Sequence, residues 1–131
     1  MKKEKLFICK SCQISPEIEK IEGKTGGYYL YENLIKEAEQ SSIEIIKSGC
    51  LWTCNQPCAV SFLANNKYTY HFVNIPPLQE EYYQALLEFG ELYTESENGY
   101  ILPAKVPEIL KEKLLVRVPA VDTYAEKKTS K

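Results

Sequence analysis

The sequence predicts an α/β domain with a mixed four-stranded sheet, two main helices and a C-terminal extension. Three observations carry that expectation. Apolar, β-branched runs at 5–9 and 42–47 bracket an amphipathic helical pattern; two more β-prone runs flank an Asn-rich connection; a second helical pattern follows at 78–93.

Leu6, Phe7 and Ile8 form a short buried strand over Lys5 to Cys9, with Cys9 and Cys12 at its exit. Residues 13–27, carrying Pro16, Gly23, Gly26 and Gly27 among alternating charges, read as a long loop. From Tyr28 to Gln40 the set Leu30, Tyr31, Leu34, Ile35 and Ala38 keeps helical spacing, leaving Glu32, Lys36, Glu37 and Glu39 to solvent. Ile43, Ile45 and Ile46 make a strand of 42–47, ending just before Gly49 and Cys50. The runs 58–63 and 68–73 around Ala64-Asn65-Asn66-Lys67 indicate an antiparallel hairpin. After Pro76 and Pro77, the spacing of Tyr82, Ala85, Leu86, Phe89 and Tyr93 gives the second helix. Asn98-Gly99 turns the chain, Pro107 opens a short helix, and 115–121 returns as an extended segment. Residues 1–121 are expected to form one domain and 122–131 a polar, flexible tail.

Composition narrows the function. With 131 residues and 44% apolar side chains, the chain is long enough to fold without disulfides. A net charge of −2 and a pI near 5.5 argue against a nucleic-acid partner. The N-terminus lacks the long apolar core of a secretory signal, and no stretch reaches the roughly 18 to 20 apolar residues of a membrane span. A cytoplasmic protein is therefore expected, with its thiols reduced. The ten tyrosines, scattered through helix-like and strand-like segments, are read as core or boundary residues rather than stacking platforms.

The chemistry gathers on the five cysteines: Cys9 and Cys12, then Cys50, Cys54 and Cys58. A right-handed βαβ crossover makes the first two strands parallel, so both groups leave the sheet at the same edge. Four thiolates from two such loops suit tetrahedral zinc or an iron–sulfur cluster. Buried cysteines can also be simple small hydrophobes, but five in two clusters fit that reading poorly.

The segments Leu6 to Cys12, Cys50 to Phe62, Lys67 to Phe72, Ile101-Leu102-Pro103 and Pro107 to Pro119 resemble a domain-of-unknown-function family described as predicted metal-binding proteins. That family is similar in turn to the thioredoxin-like 2Fe-2S ferredoxins and to the small cluster-bearing subunit of respiratory complex I. The resemblance implies a thioredoxin-like fold and an electron carrier whose 2Fe-2S cluster is held by Cys9, Cys12, Cys50 and Cys54. The first pair is closer in sequence than in those ferredoxins, and Cys58 stands where they commonly have proline. Cys58 is accordingly either an alternate ligand or a buried thiol beneath the site.

Two other classes stay open. A four-cysteine zinc or metal-handling protein accommodates the short first spacing. A thiol–disulfide oxidoreductase would use Cys9 and Cys12, although Pro16 and the glycine-containing loop argue against a helix N-terminus directly after Cys9. A radical-forming Cys-x3-Cys-x2-Cys site is excluded because the second interval is one residue too long. His71, the single histidine, is read as a satisfied strand residue before a metal ligand. Trp52 would shield the site, dock a partner or pack. The expected partner is a redox protein or a metal-dependent enzyme, with oligomeric assembly left open.

Overall fold

A computed structural model describes residues 4–121; the expected flexible tail, 122–131, lies outside the described residues. The chain runs β1 (Lys5–Cys9), β2 (Lys20–Ile21), β3 (Lys24–Thr25), α1 (Gly26–Glu37), β4 (Glu44–Ser48), β5 (Val60–Leu63), β6 (Thr69–Phe72), α2 (Glu80–Glu95), α3 (Glu108–Lys111) and β7 (Leu114–Val118). The four expected strands form one mixed sheet, and the C-terminal extension adds a fifth, in the order β4-β1-β5-β6-β7. That fifth strand corrects the four-strand count: Leu114 to Val118 completes the ladder on β6 instead of merely trailing from it.

The β1–β4 pair is parallel and sets Cys9 opposite Ser48, while the remaining neighbours are antiparallel. Cross-strand register puts Ile45, Leu6, Phe62 and Tyr70 in one row, with Ile8, Val60 and Phe72 beside them, on the face the helices cover. Leu30 and Leu34 of α1 are fully buried, and Phe89 and Tyr93 of α2 pack edge-on or tilted against Phe62, Phe72 and Tyr70 at centroid distances of 4.9 to 6.0 Å. Each such ring contributes roughly 1.5–3 kcal/mol through burial. The core tyrosines keep their hydroxyls bonded: Tyr70 accepts from the Ile101 amide at 2.9 Å and Tyr93 donates to the Tyr68 carbonyl at 2.5 Å. Ile35, placed on the apolar stripe by spacing, is instead 41% exposed, because the buried stripe of α1 is narrower than the pattern suggested.

The stretch 13–27 differs most from expectation. It is not structureless: β2 and β3 form a small hairpin through Glu22 and Gly23, both at positive φ, as a tight two-residue turn requires. The hairpin returns the chain to the cysteine edge, where α1 starts at Gly26, two residues earlier than the spacing placed it.

Candidate metal centre

The first cysteine loop is fastened from three sides. Lys10 N–H donates to the Ser48 carbonyl at 3.1 Å, joining it to the end of β4. Thr25 caps α1 by accepting from Tyr28 N–H and donates its own hydroxyl to the Lys10 carbonyl at 2.6 Å. Gly27 N–H donates to the Cys12 carbonyl at 3.0 Å. This close docking explains the two glycines: a Cβ at Gly27 would lie 1.9 Å from the Cys9 carbonyl oxygen, and one at Gly26 would lie 2.3 Å from that of Gln13. The helix N-terminus thus reaches the cysteine loop in space although 13 residues separate Cys12 from Gly26 in sequence.

The five thiols divide by depth. Cys9, Cys12 and Cys58 are 2%, 5% and 0% exposed, whereas Cys50 and Cys54 are open to solvent. In the inner set, Cys12 Sγ accepts from Ala59 N–H at 3.3 Å and interacts with the Cys58 and Cys9 thiols. The bond from Cys58 is the main cause that holds the Cys12 thiol down to about 6, with the Cys9 and Ala59 bonds assisting against burial. Cys9 is pushed up to about 11, first by burial and then by Cys12, with the Leu51 and Ser11 amides partly offsetting both. Cys58 is raised by its bond to Cys12 and by burial. Within the inner set the thiolate is therefore favoured at Cys12 and disfavoured at Cys9 and Cys58.

In the outer set, Cys50 Sγ and Cys54 Sγ are 3.4 Å apart, and Trp52 N–H donates to Cys50 Sγ at 3.3 Å. Their contact raises the Cys54 thiol, and Cys12 adds a smaller Coulombic push. The left-handed backbone of Trp52, φ 70°, aims its amide inward and leaves its ring 91% exposed. Thr53 Oγ1, one residue before Cys54, is buried without a hydrogen-bond partner.

The structure thus brings all the expected ligands to one edge, as an inner pair, Cys9 and Cys12, and an outer pair, Cys50 and Cys54. Among the described residues no three His, Cys, Asp or Glu side chains gather tightly enough to hold one metal ion. Cys58 lies beneath the inner pair, its Sγ 3.4 Å from the Gln13 carbonyl. Spacing placed Cys58 at the start of a strand; β5 begins at Val60, and Cys58 instead exchanges both backbone hydrogen bonds with Ile75 at 3.1 Å. His71 sits elsewhere, on β6, with Nδ1 2.5 Å from Ser61 Oγ; its Nε2 is buried without a partner, and burial lowers its pKa. The residues that composition could not reveal are the amide donors Leu51, Trp52 and Ala59, since any residue supplies an N–H.

A βαβ unit followed by a hairpin and a helix, with paired thiols at the exits of its two parallel strands, defines a thioredoxin-like protein with a cysteine-rich edge. The profile of the family described as protein of unknown function (DUF1636) matches residues 6–120, and the chain belongs to that family. Among solved structures, it is similar to a thioredoxin-like [2Fe-2S] ferredoxin from Aquifex aeolicus, with 10% identity and a TM-score of 0.53 over 89% of this chain and 94% of that one. No curated protein sequence matches significantly. Among the described residues no helix is long and apolar enough to cross a membrane.

Proposed function

We propose that this protein is a small electron carrier that holds a 2Fe-2S cluster through Cys9, Cys12, Cys50 and Cys54. The observation that carries this reading is the pairing of the thiols. A two-iron cluster takes two protein sulfurs per iron, and two thiolates on one tetrahedral metal with bonds of about 2.3 Å stand roughly 3.8 Å apart. Cys50 and Cys54, at 3.4 Å, are close to that separation, and the Cys9 and Cys12 thiols interact with each other. A single zinc would need both pairs to close on one point.

The surroundings fit the group. Backbone amides of Leu51, Ser11, Ala59 and Trp52 already point at Cys9, Cys12 and Cys50, and such donors favour the thiolate form. An unpaired buried hydroxyl costs about 1–3 kcal/mol, and a sulfur-rich group in this loop would give Thr53 Oγ1 an acceptor. When bound, the cluster supplies one-electron transfer. The chain's part is to hold the inner sulfurs away from water, to present the outer ones at the surface, and to set the potential through its amides. A redox protein or metal-dependent enzyme in the cytoplasm would meet the exposed side at Cys50, Trp52 and Cys54. Burial weighs against disulfide exchange at Cys9 and Cys12, because the loop and α1 close over them.

Anaerobic purification, a visible spectrum and iron, sulfide and zinc analysis on the same sample test the reading. About two irons and two sulfides per chain with broad visible absorbance are expected. About one zinc per chain in a colourless protein, retained after attempted iron and sulfide loading, would replace the electron carrier with a zinc protein.

A further inference from the structure

Of the five thiols, only Cys50 and Cys54 are exposed, and they are also the pair whose contact is 3.4 Å. A disulfide bond of about 2.05 Å would require their sulfurs to approach by roughly 1.4 Å. The surrounding loop has room for that movement: a Cβ on Gly49 would meet nothing within 4 Å, and Trp52 extends into solvent. Cys9, Cys12 and Cys58, at 2%, 5% and 0% exposure, are shielded from an attacking glutathione disulfide.

We propose that Cys50 and Cys54 form a redox-active dithiol that exchanges with small disulfides of the glutathione type, and that its oxidised form closes the outer half of the metal centre. The exchange does not depend on the cluster reading; the closing rests on it. The thiolate of one cysteine attacks a sulfur of glutathione disulfide, forming a mixed disulfide and releasing one glutathione. The second cysteine, as thiolate, attacks the protein-side sulfur, forms the Cys50–Cys54 bond and releases the second glutathione. Two protein thiols and one glutathione disulfide become one protein disulfide and two glutathione thiols. The cysteine pair loses two electrons, glutathione disulfide gains them, and the two thiol protons pass to the released glutathiones.

The full metal-free chain, reduced and then equilibrated with glutathione disulfide while folded, is quenched with acid, alkylated in denaturant and digested with trypsin. Cys9 falls in Leu6–Lys10, Cys12 in Ser11–Lys20, and Cys50, Cys54 and Cys58 in Ser48–Lys67, so fragmentation of each peptide locates any new bond. The expected result is a loss of two hydrogens within Ser48–Lys67, with Cys58, Cys9 and Cys12 still alkylated. Cys50→Ser should instead keep glutathione on Cys54. A first bond that joins the Leu6–Lys10 and Ser11–Lys20 peptides, a bond to Cys58, or glutathione retained on the wild-type pair would overturn the dithiol. In a second arm, the oxidised chain is offered ferric iron and stoichiometric sulfide, and visible absorbance should grow about tenfold more slowly than in the reduced chain until dithiothreitol is added. Equal rates would overturn the closing. A reduced chain that takes up no iron would overturn the electron-carrier reading while the peptide result stands.

Discussion

The inner and outer cysteine pairs leave neighbouring parallel strands at the same level of the sheet, yet their surroundings are opposite. Around Cys9 and Cys12 the chain is clamped by the end of β4, the cap of α1 and the backbone of Ala59, with two glycines admitting the helix. Cys50 and Cys54 hold each other and one amide of their own loop. The same pairing of thiols is therefore built once as core and once as surface. The lesson is that fold stability and metal binding should separate by mutation: inner changes disturb both, outer changes only the second.

The sharpest test sets one glycine against another. Gly27→Ala forces a methyl to 1.9 Å from the Cys9 carbonyl oxygen and should cost about 3 kcal/mol in urea denaturation of the metal-free chain. Gly49→Ala, beside Cys50 and with no heavy atom within 4 Å of the added Cβ, should stay within about 0.5 kcal/mol of wild type. Similar losses at both positions would break the comparison.

Cys12→Ala and Cys54→Ala extend it to the proposed ligands. Both should abolish cluster content after reconstitution. Thermal melts of the metal-free variants should show a loss of about 1–2 kcal/mol for the buried Cys12 and no more than about 0.5 kcal/mol for the exposed Cys54. Retained iron in either variant would remove that residue from the ligand set.

Cys58 sharpens the boundary of the inner half. Its side chain is fully buried against Gln13, Cys12 and α1, so Cys58→Ala should lower stability by about 1 kcal/mol yet leave about two irons per chain. Iron loss here, with the fold intact by circular dichroism, would make Cys58 a ligand.

The smallest effect lies away from the cysteines and serves as a control. Burial holds His71 below its ordinary value of 6.5, so the neutral ring is favoured in the folded chain. That stabilisation is complete above 6.5 and is lost as the pH falls through the lower folded value. His71→Gln should remove this loss, so the gap in urea midpoint between wild type and variant should narrow from pH 7 to pH 5. A gap that widens would reverse the sign assigned to His71.

Much of this was legible in the sequence because it rests on periodicity. Apolar runs at 5–9 and 42–47 around a helical pattern force parallel strands, and parallel strands carry both cysteine groups to one edge. Depth was not legible: intervals of three and four residues are silent on which thiol faces the core, and Cys58 went under the site only because its backbone pairs with Ile75. Nor did pattern locate the start of α1. Gly26 and Gly27 read as loop residues, yet they are glycines because another backbone lies where a side chain would be. Two-residue strands such as β2 and β3 are too short for alternation to register. β7 was visible as an extended run, but its place in the sheet depends on α3 returning the chain to β6.

The backbone turn that gives Cys50 an amide donor also leaves the chain's only tryptophan in water, a few residues from every outer sulfur. The chain thereby carries its own optical probe. Its indole emission reports from a single place, without interference from the core aromatics of other types when excited at the red edge. Each change at the outer loop, whether a ligand arriving, a sulfur bond closing or a partner covering the ring, has a fluorescence signal that needs no label.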